Sequence, residues 1–262
     1  VESVRKDSIE KLTPVEYYEK EGIWLKRDDL FTTCGVCGGK ARSAYQVVLQ
    51  LVDKGYTTIV TAGSRQSPQC EIVSCICENL GLQCKVFMPF GGNTSVINHI
   101  EKNKNTEIIR VRPGYNNIIV ARAREYAQNR NCGYVPFGME CSENVEVTSK
   151  QVVNLPKEAK RLVIPVGSGM SFSSVVTGLI REGIDIPILG VRVGKDPTKI
   201  IEEYAFGVDF LDYEIVQSPV DYHESVIAYV EDYQLDPIYE AKCREFLREG
   251  DVLWVVGRRV LD

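Results

Sequence analysis

The sequence predicts an α/β fold in two domains, each built on a parallel sheet with helices on its faces. Three observations carry that expectation. Short apolar runs alternate with segments of helical spacing along most of the 262 residues. The alternation comes in two series, one from Thr58 to Phe137 and one from Arg161 to Val256. No low-complexity segment, charge run or Pro-rich linker separates the series, so the first reads as a domain inserted into the second. Strands joined by helices of this length require right-handed crossovers, hence parallel pairing with both sheet faces covered.

Taken in order, Ala44, Val47, Val48 and Leu51 recur at intervals of three or four and predict a helix that opens at Lys40. Thr58–Ala62 predicts a strand, and a helix follows the turn Gly63–Pro68 through about Leu80, where Gly81 ends it. Cys84–Met88 is the next strand, and a helix carrying Val96, Ile97 and Ile100 follows the polar turn Gly91–Thr94. Glu107–Val111 predicts a third strand, Asn117–Asn129 a third helix and Gly133–Phe137 a closing strand. In the second series, Arg161–Val166 is a buried strand, Ser171–Arg181 a helix and Pro187–Val191 a strand. Helices are expected around Pro197–Ala205, from Tyr222 to Asp232 and from Tyr239 to Arg248, before a final strand Val252–Val256. The resulting domains are 1–43 plus 147–262, a large domain, and 44–146, a small inserted one.

Composition is that of an ordinary globular protein, with 44% apolar and 26% charged residues. A net charge of −5 argues against a nucleic-acid groove driven by bulk charge. No apolar run is long enough to span a membrane, and the charged start Val1–Asp7 lacks a signal-peptide core, so a cytoplasmic protein is expected. The nine cysteines are expected to be reduced and structural. Cys34 and Cys37 form a lone C-x-x-C, and with only two isolated histidines, His99 and His223, no metal site is expected.

Two local patterns carry chemistry. Lys40 follows a polar, glycine-rich turn that ends Gly38-Gly39 and stands at a loop-to-helix junction, where paired glycines let the backbone approach a ligand. The apolar run Val163–Val166 leads into Gly167-Ser168-Gly169-Met170-Ser171 and then a helix. A glycine loop ending in a helix N-terminus offers free N–H groups and the positive dipole end to a phosphate, and Ser168, Ser171, Ser173 and Ser174 add hydroxyls. A lysine at a turn and a phosphate cradle together suit pyridoxal 5′-phosphate held as a Schiff base. Read singly, the lysine is a solvated helix-start residue and the loop a tight strand–helix turn.

Four blocks in order resemble the fold-type II pyridoxal-phosphate enzymes, the tryptophan synthase β-like group, nearest its aminocyclopropane-carboxylate deaminase and D-cysteine desulfhydrase branch. They are Lys26-Arg27-Asp28-Asp29-Leu30 with Gly38-Gly39-Lys40-Ala41-Arg42; Thr61-Ala62-Gly63-Ser64-Arg65-Gln66-Ser67; Val166–Ser171; and Leu235-Asp236-Pro237-Ile238-Tyr239-Glu240-Ala241-Lys242. The resemblance implies that Lys40 is the Schiff-base lysine and Gly167, Ser168, Gly169, Met170 and Ser171 the phosphate loop. It implies that Glu240 meets the pyridine nitrogen, and that Ser64, Gln66 and Ser67 lie beside the substrate carboxylate. It further implies a homodimer, with the cofactor in a cleft between the domains. The chain departs from the pattern at Gly39 and Pro68, where the family has asparagines, and at Met170, where it has glycine. It is also shorter between Val191 and Leu235, where the branch supplies a substrate-facing tyrosine.

Tyr222 is the candidate for that tyrosine, and Tyr239 is either a ring-stacking or acid–base group or plain packing. Glu240 is otherwise a helical glutamate paired with Arg244, and Ser67 otherwise a simple N-cap. The implied activity is lyase-type chemistry at Cα of an amino acid, deamination or elimination. One alternative is an amino acid linked to a nucleotide or nucleic-acid base, with Arg258-Arg259 meeting its phosphate; another is a cofactor-binding but inactive protein.

Overall fold

The computed structural model describes residues 9–112 and 116–257. The charged start Val1–Asp7 and the pair Arg258-Arg259 lie outside the described residues. One unit takes the chain up to Phe31 and again from Ser142, and the other comprises Thr32–Cys141. The sequence placed the first boundary at 43/44, but a helix runs unbroken across it, so Lys40 belongs with the inserted unit.

The first unit opens with an antiparallel hairpin of β1 (Val15–Tyr18) and β2 (Ile23–Arg27). Its turn closes at Gly22, whose φ of 65° is in the left-handed region and whose N–H reaches Tyr18 O at 2.9 Å.

The inserted unit starts with a small hairpin, β3 (Thr32–Thr33) and β4 (Val36–Cys37), followed by α1 (Gly39–Asp53). Then β5 (Thr58–Ala62), α2 (Pro68–Leu80), β6 (Gln83–Pro89), α3 (Ser95–Ile100), β7 (Thr106–Val111), α4 (Asn116–Asn129) and β8 (Gly133–Tyr134) alternate. Their four strands form one parallel sheet in the order β7-β6-β5-β8. Gly81 ends α2 in the left-handed conformation, as its residue type predicts. Strand β8 stops short of Phe137: Val135 still donates to Val60 O, but Pro136 has no N–H and a 3₁₀ turn follows.

The chain returns to the first unit through α5 (Ser142–Ser149), β9 (Arg161–Val166), α6 (Met170–Glu182), β10 (Ile188–Arg192), α7 (Thr198–Tyr204) and β11 (Tyr213–Gln217). It ends with the hairpin β12 (Tyr229–Val230) and β13 (Tyr233–Gln234), a 3₁₀ segment Glu240–Phe246 and β14 (Asp251–Val255). The six-stranded sheet runs β1-β2-β14-β9-β10-β11 and is parallel except at the β1–β2 edge. Alternate residues of β14 and β9 bury on opposite faces. Trp254 and Leu162 pack with Phe172 and Val176 of α6, whereas Leu253 and Val163 pack with Ile23, Val191 and Leu235. Helices α5 and α6 approach so closely that a Cβ on Gly178 would lie 2.3 Å from Ser149 O.

Two expected helices are corrected. Tyr222–Asp232 is a turn followed by the β12–β13 hairpin, whose turn is captured by β1–β2: Glu231 N–H donates to Glu21 Oε1, and Lys20 N–H donates to Glu231 Oε1. The segment after Tyr239 coils as a 3₁₀ helix that ends by Leu247. The edge strand β11 was not anticipated, because its exposed and half-buried residues give little apolar signal.

Candidate active site

In the first unit the candidate residues gather at the C-terminal ends of parallel strands, where open α/β sheets bind ligands. Strand β9 runs into Gly167-Ser168-Gly169, and Gly169, at φ 104°, caps α6 without a side-chain hydrogen bond. Ser168 Oγ accepts from Met170 N–H at 3.4 Å. The loop admits no side chain at two places. A Cβ on Gly167 would lie 2.9 Å from the Tyr239 ring, and one on Gly194, just beyond β10, would lie 2.8 Å from Gly167 O. The serines differ from expectation: Ser174 Oγ donates to Met170 O at 2.7 Å, so its hydroxyl is spent within the helix. Ser173 Oγ is buried without a partner among the described residues, and Met170 is buried where the family has glycine.

Glu240 sits at the neighbouring strand end. Asp236 Oδ1 accepts from the N–H groups of Ile238 and Tyr239 at 2.9 and 3.0 Å, a turn that delivers Glu240 into the interior. Its side chain is fully buried; Oε1 accepts from Val256 N–H at 2.6 Å, and Oε2 has no partner among the described residues. Burial, and then the charge of Asp236, push its carboxyl well above the ordinary glutamate value. The helical-surface reading of Glu240 is therefore excluded by its burial.

The same face unites the two candidate tyrosines. Tyr222 Oη lies 3.4 Å from Tyr239 Oη, with ring centroids 6.1 Å apart at 71°. Lys242 holds the backbone beneath Tyr222, its buried ammonium donating to the carbonyls of Asp221 and Tyr222.

Behind these residues, Arg27 grips Asp29 with two parallel hydrogen bonds of 2.9 Å, and Tyr233 donates to Asp29 Oδ2 at 3.1 Å. Arg27 also stacks over the Tyr233 ring, 4.2 Å from its centroid, and pairs with Glu16. Lys26 is wholly buried and donates to Thr13 O and Asn154 Oδ1 at 2.8 and 2.6 Å. Lys26, Arg27 and Asp29 of the first motif block thus form a buried scaffold.

In the inserted unit, Lys40 stands in the first turn of α1, after Gly38 at φ 94°, with its side chain exposed. Cys70, on α2, lies close enough to feel it. Burial pushes the Cys70 thiol up to about 12, while the Ser67 hydrogen bond and the Lys40 charge pull the other way. Ser64 and Gln66 are exposed and Ser67 half-buried, all three in the β5–α2 turn. A Cβ on Gly63 would lie 2.6 Å from Ser67 Oγ and 2.7 Å from Cys70 Sγ, so the turn closes only with glycine there. The N-terminus of α2 is poorer in donors than expected: Pro68 has no N–H, and Cys70 N–H is bonded to Ser67 O. Gln69 is buried and tied to Pro136 O at 2.7 Å and Thr61 Oγ1 at 3.3 Å. Cys34, on the β3–β4 turn, donates to Asn79 Oδ1 at 3.4 Å, and all nine cysteines are free thiols. No helix among the described residues is long and apolar enough to cross a membrane.

Sequence reasoning missed Gly194, Cys70, Tyr233 and Lys242 as parts of these clusters. Only Lys242 carried a signal, as the last residue of the fourth block.

Comparisons with known proteins point to one family. A Thermotoga maritima protein provisionally named 1-aminocyclopropane-1-carboxylate deaminase is 27% identical, over 88% of this chain and 86% of its own length. The O-seryl-dTMP PLP-dependent decarboxylase of Salmonella phage ViI is 26% identical, over 66% of this chain but only 48% of its own length. A Schizosaccharomyces pombe relative is 23% identical, and the match spans 59% of its length. Among solved structures, an ACC deaminase homologue superposes with a TM-score of 0.77 at 19% identity, covering 94% of this chain and 89% of that one. Threonine deaminase isoform 2 from Solanum lycopersicum gives 0.73 at 16% identity, over 95% and 80%. Residues 6–204 match the family described as pyridoxal-phosphate dependent enzyme, and the chain belongs to that family.

Proposed function

We propose that the chain acts at Cα of an amino acid, removing a proton there and expelling a group, as in deamination or elimination. The observation that carries the reading is the unpartnered Oε2 of a fully buried Glu240, beside a glycine loop at the ends of parallel strands. A buried carboxylate oxygen without a donor is costly, and a protonated ring nitrogen is the donor it fits. The Gly167–Gly169 turn, with no room for a Cβ at Gly167, fits a phosphate approached by backbone N–H groups. The cofactor therefore fits the residues present.

Pyridoxal phosphate, when bound, supplies an electron sink for negative charge developing at Cα. The Gly167–Ser171 loop would hold its phosphate, chiefly through backbone amides. Glu240 would meet the ring nitrogen through Oε2 and, as a carboxylate, would keep that nitrogen protonated. Lys40 is the residue that would hold the cofactor covalently, and its amine would move the Cα proton. The paired phenols of Tyr222 and Tyr239 hold or relay a proton at the reacting group. Ser64, Gln66 and Ser67 orient the substrate carboxylate, chiefly with side chains because Pro68 removes a backbone donor.

A second reading, in which the amino acid is linked to a nucleotide, is supported by the likeness to the phage O-seryl-dTMP decarboxylase. The test is a panel of free D- and L-amino acids and seryl nucleotides, scored for change in the bound-cofactor spectrum and for ammonia, oxo acid or carbon dioxide released. Carbon dioxide from a seryl nucleotide alone would select the second reading. A chain that binds the cofactor and turns over no member would leave it a binding protein.

A further inference from the structure

We propose that Lys242 is a positioning residue whose buried ammonium pins the 218–226 loop from beneath and so sets the Tyr222 phenol against that of Tyr239. The proposal rests on the reading above in assigning those phenols to the substrate side; the loop's fastening itself rests on geometry alone.

Lysine is seldom buried without a reason, because its ammonium must replace every water it loses. Lys242 is 2% exposed, and its Nζ donates to the backbone carbonyls of Asp221 and Tyr222, the latter at 3.3 Å. These carbonyls belong to a loop with little else to order it. Ser218 Oγ bonds Val220 at both N–H and C=O, and Glu224 N–H bonds Asp221 O at 3.1 Å, but these contacts are internal to the loop. Outside the loop, Ser218 N–H also donates to Arg192 O and Val226 N–H to Pro237 O, both at 2.9 Å. The first bond ties the start of the loop to the end of β10, whereas the Lys242 and Val226 fastenings both reach the segment 236–242, which also carries Tyr239 and Glu240.

The result is a strap held at two points on the element that forms the site. Tyr222 is 36% exposed, so its place is not set by burial. Its hydroxyl contact with Tyr239 and the carbonyl contact with Lys242 set it instead. A cation that reads backbone carbonyls fixes a loop whatever side chains the loop carries. That explains how a short segment here presents a tyrosine without helical support.

The first experiment needs neither cofactor nor substrate. Amide hydrogen exchange at Glu224 and Val226 is compared in the full cofactor-free chain and in Lys242→Met, which keeps the stem and loses the donors. Exchange about tenfold faster or more at these amides, with Cys84–Met88 unchanged, is the expected result, since a hydrogen bond from a charged group is worth at least that factor. Lys242→Arg, which keeps a charged donor, restores part of the protection and stands in should the methionine variant fail to fold. Unchanged exchange in a folded Lys242→Met overturns the proposal. With the loaded enzyme, kcat/KM falls in Lys242→Met to the level of Tyr222→Phe, while cofactor affinity is retained and the double variant is no worse than either single one. Additive losses would show that Lys242 acts elsewhere than through Tyr222. A parent chain that never binds pyridoxal phosphate would defeat the functional reading and leave the exchange result standing.

Discussion

The backbone N–H of Val256 donates to one oxygen of the Glu240 carboxyl at 2.6 Å, and the other oxygen, equally buried, has no partner. Burial, and then the charge of Asp236, both oppose ionisation of a carboxyl so placed. Were Glu240 to meet the cofactor's ring nitrogen, as proposed, cofactor capture would be linked to proton release.

That linkage predicts a pH dependence whose sign follows from the direction of the shift. The folded chain retains a proton at Glu240 that the unfolded chain gives up near the ordinary value, so the folded state binds more protons over that interval. Cofactor-free stability therefore falls as pH rises from the ordinary glutamate value toward the raised one. Glu240→Gln, which cannot ionise, removes this slope. Melting temperatures of the cofactor-free parent and variant should converge at acid pH and separate at alkaline pH with the variant higher. Parallel curves across the range would show that the carboxyl ionises freely.

Glu240→Gln has the opposite effect on catalysis. On the proposed role, the variant should keep the cofactor bound but lose the charge that would hold the ring nitrogen protonated, raising the barrier by roughly 3 kcal/mol, about a hundredfold in rate. A variant turning over at the parent rate would remove Glu240 from the mechanism.

Lys40→Ala should abolish covalent retention of pyridoxal phosphate without unfolding the inserted unit, because the side chain is exposed and α1 is anchored by Ala41, Ala44 and Val48. Borohydride reduction followed by peptide mapping checks it. A label on any other lysine reassigns the role.

Much of this was legible in the residues, and the failures have physical causes. The β/α alternation, the glycine stop of α2 and the loop Gly167–Gly169 are local, so apolar period and turn chemistry revealed them. The β12–β13 hairpin was misread because Tyr222, Val226, Tyr229, Val230 and Tyr233 recur at helical intervals. Its turn also relies on Glu231 at φ 50° rather than on a glycine or asparagine. Motif residues Lys40, Gly167 and Glu240 could be named from the chain alone. Lys242 and Gly194 could not be given roles, because each acts on backbone distant in sequence: carbonyls 20 and 21 residues away for Lys242, and Gly167 O for Gly194.

Gly194 offers a test of the phosphate loop that touches no hydroxyl. A Cβ there would press on Gly167 O from 2.8 Å, and backbone cannot rotate away as a side chain can. Gly194→Ala should lower affinity for pyridoxal phosphate about tenfold or more by tilting the loop's amides, each worth roughly 1.5–3 kcal/mol against a charged phosphate. Equilibrium dialysis measures the loss. Unchanged affinity would mean the phosphate is held elsewhere.

The last prediction concerns Asp29, which shares a buried network with Arg27 and Tyr233. Asp29→Asn keeps the shape of the side chain but removes the charge that two guanidinium N–H groups and one phenol address. The amide can accept at only one of its two ends, so at least one Arg27 donor loses its partner, and Arg27 keeps only the half-exposed Glu16 as a counter-charge. The expected loss of stability is roughly 2–3 kcal/mol, within the range for a hydrogen bond to a buried charged group. Denaturant unfolding at constant m-value measures it. Asp29 is also among the charges that raise the Glu240 carboxyl, so the same variant should shift the pH dependence described above toward acid. A loss of stability with no such shift would confine Asp29 to scaffolding, whereas the two changes together would show that Asp29 tunes the Glu240 carboxyl.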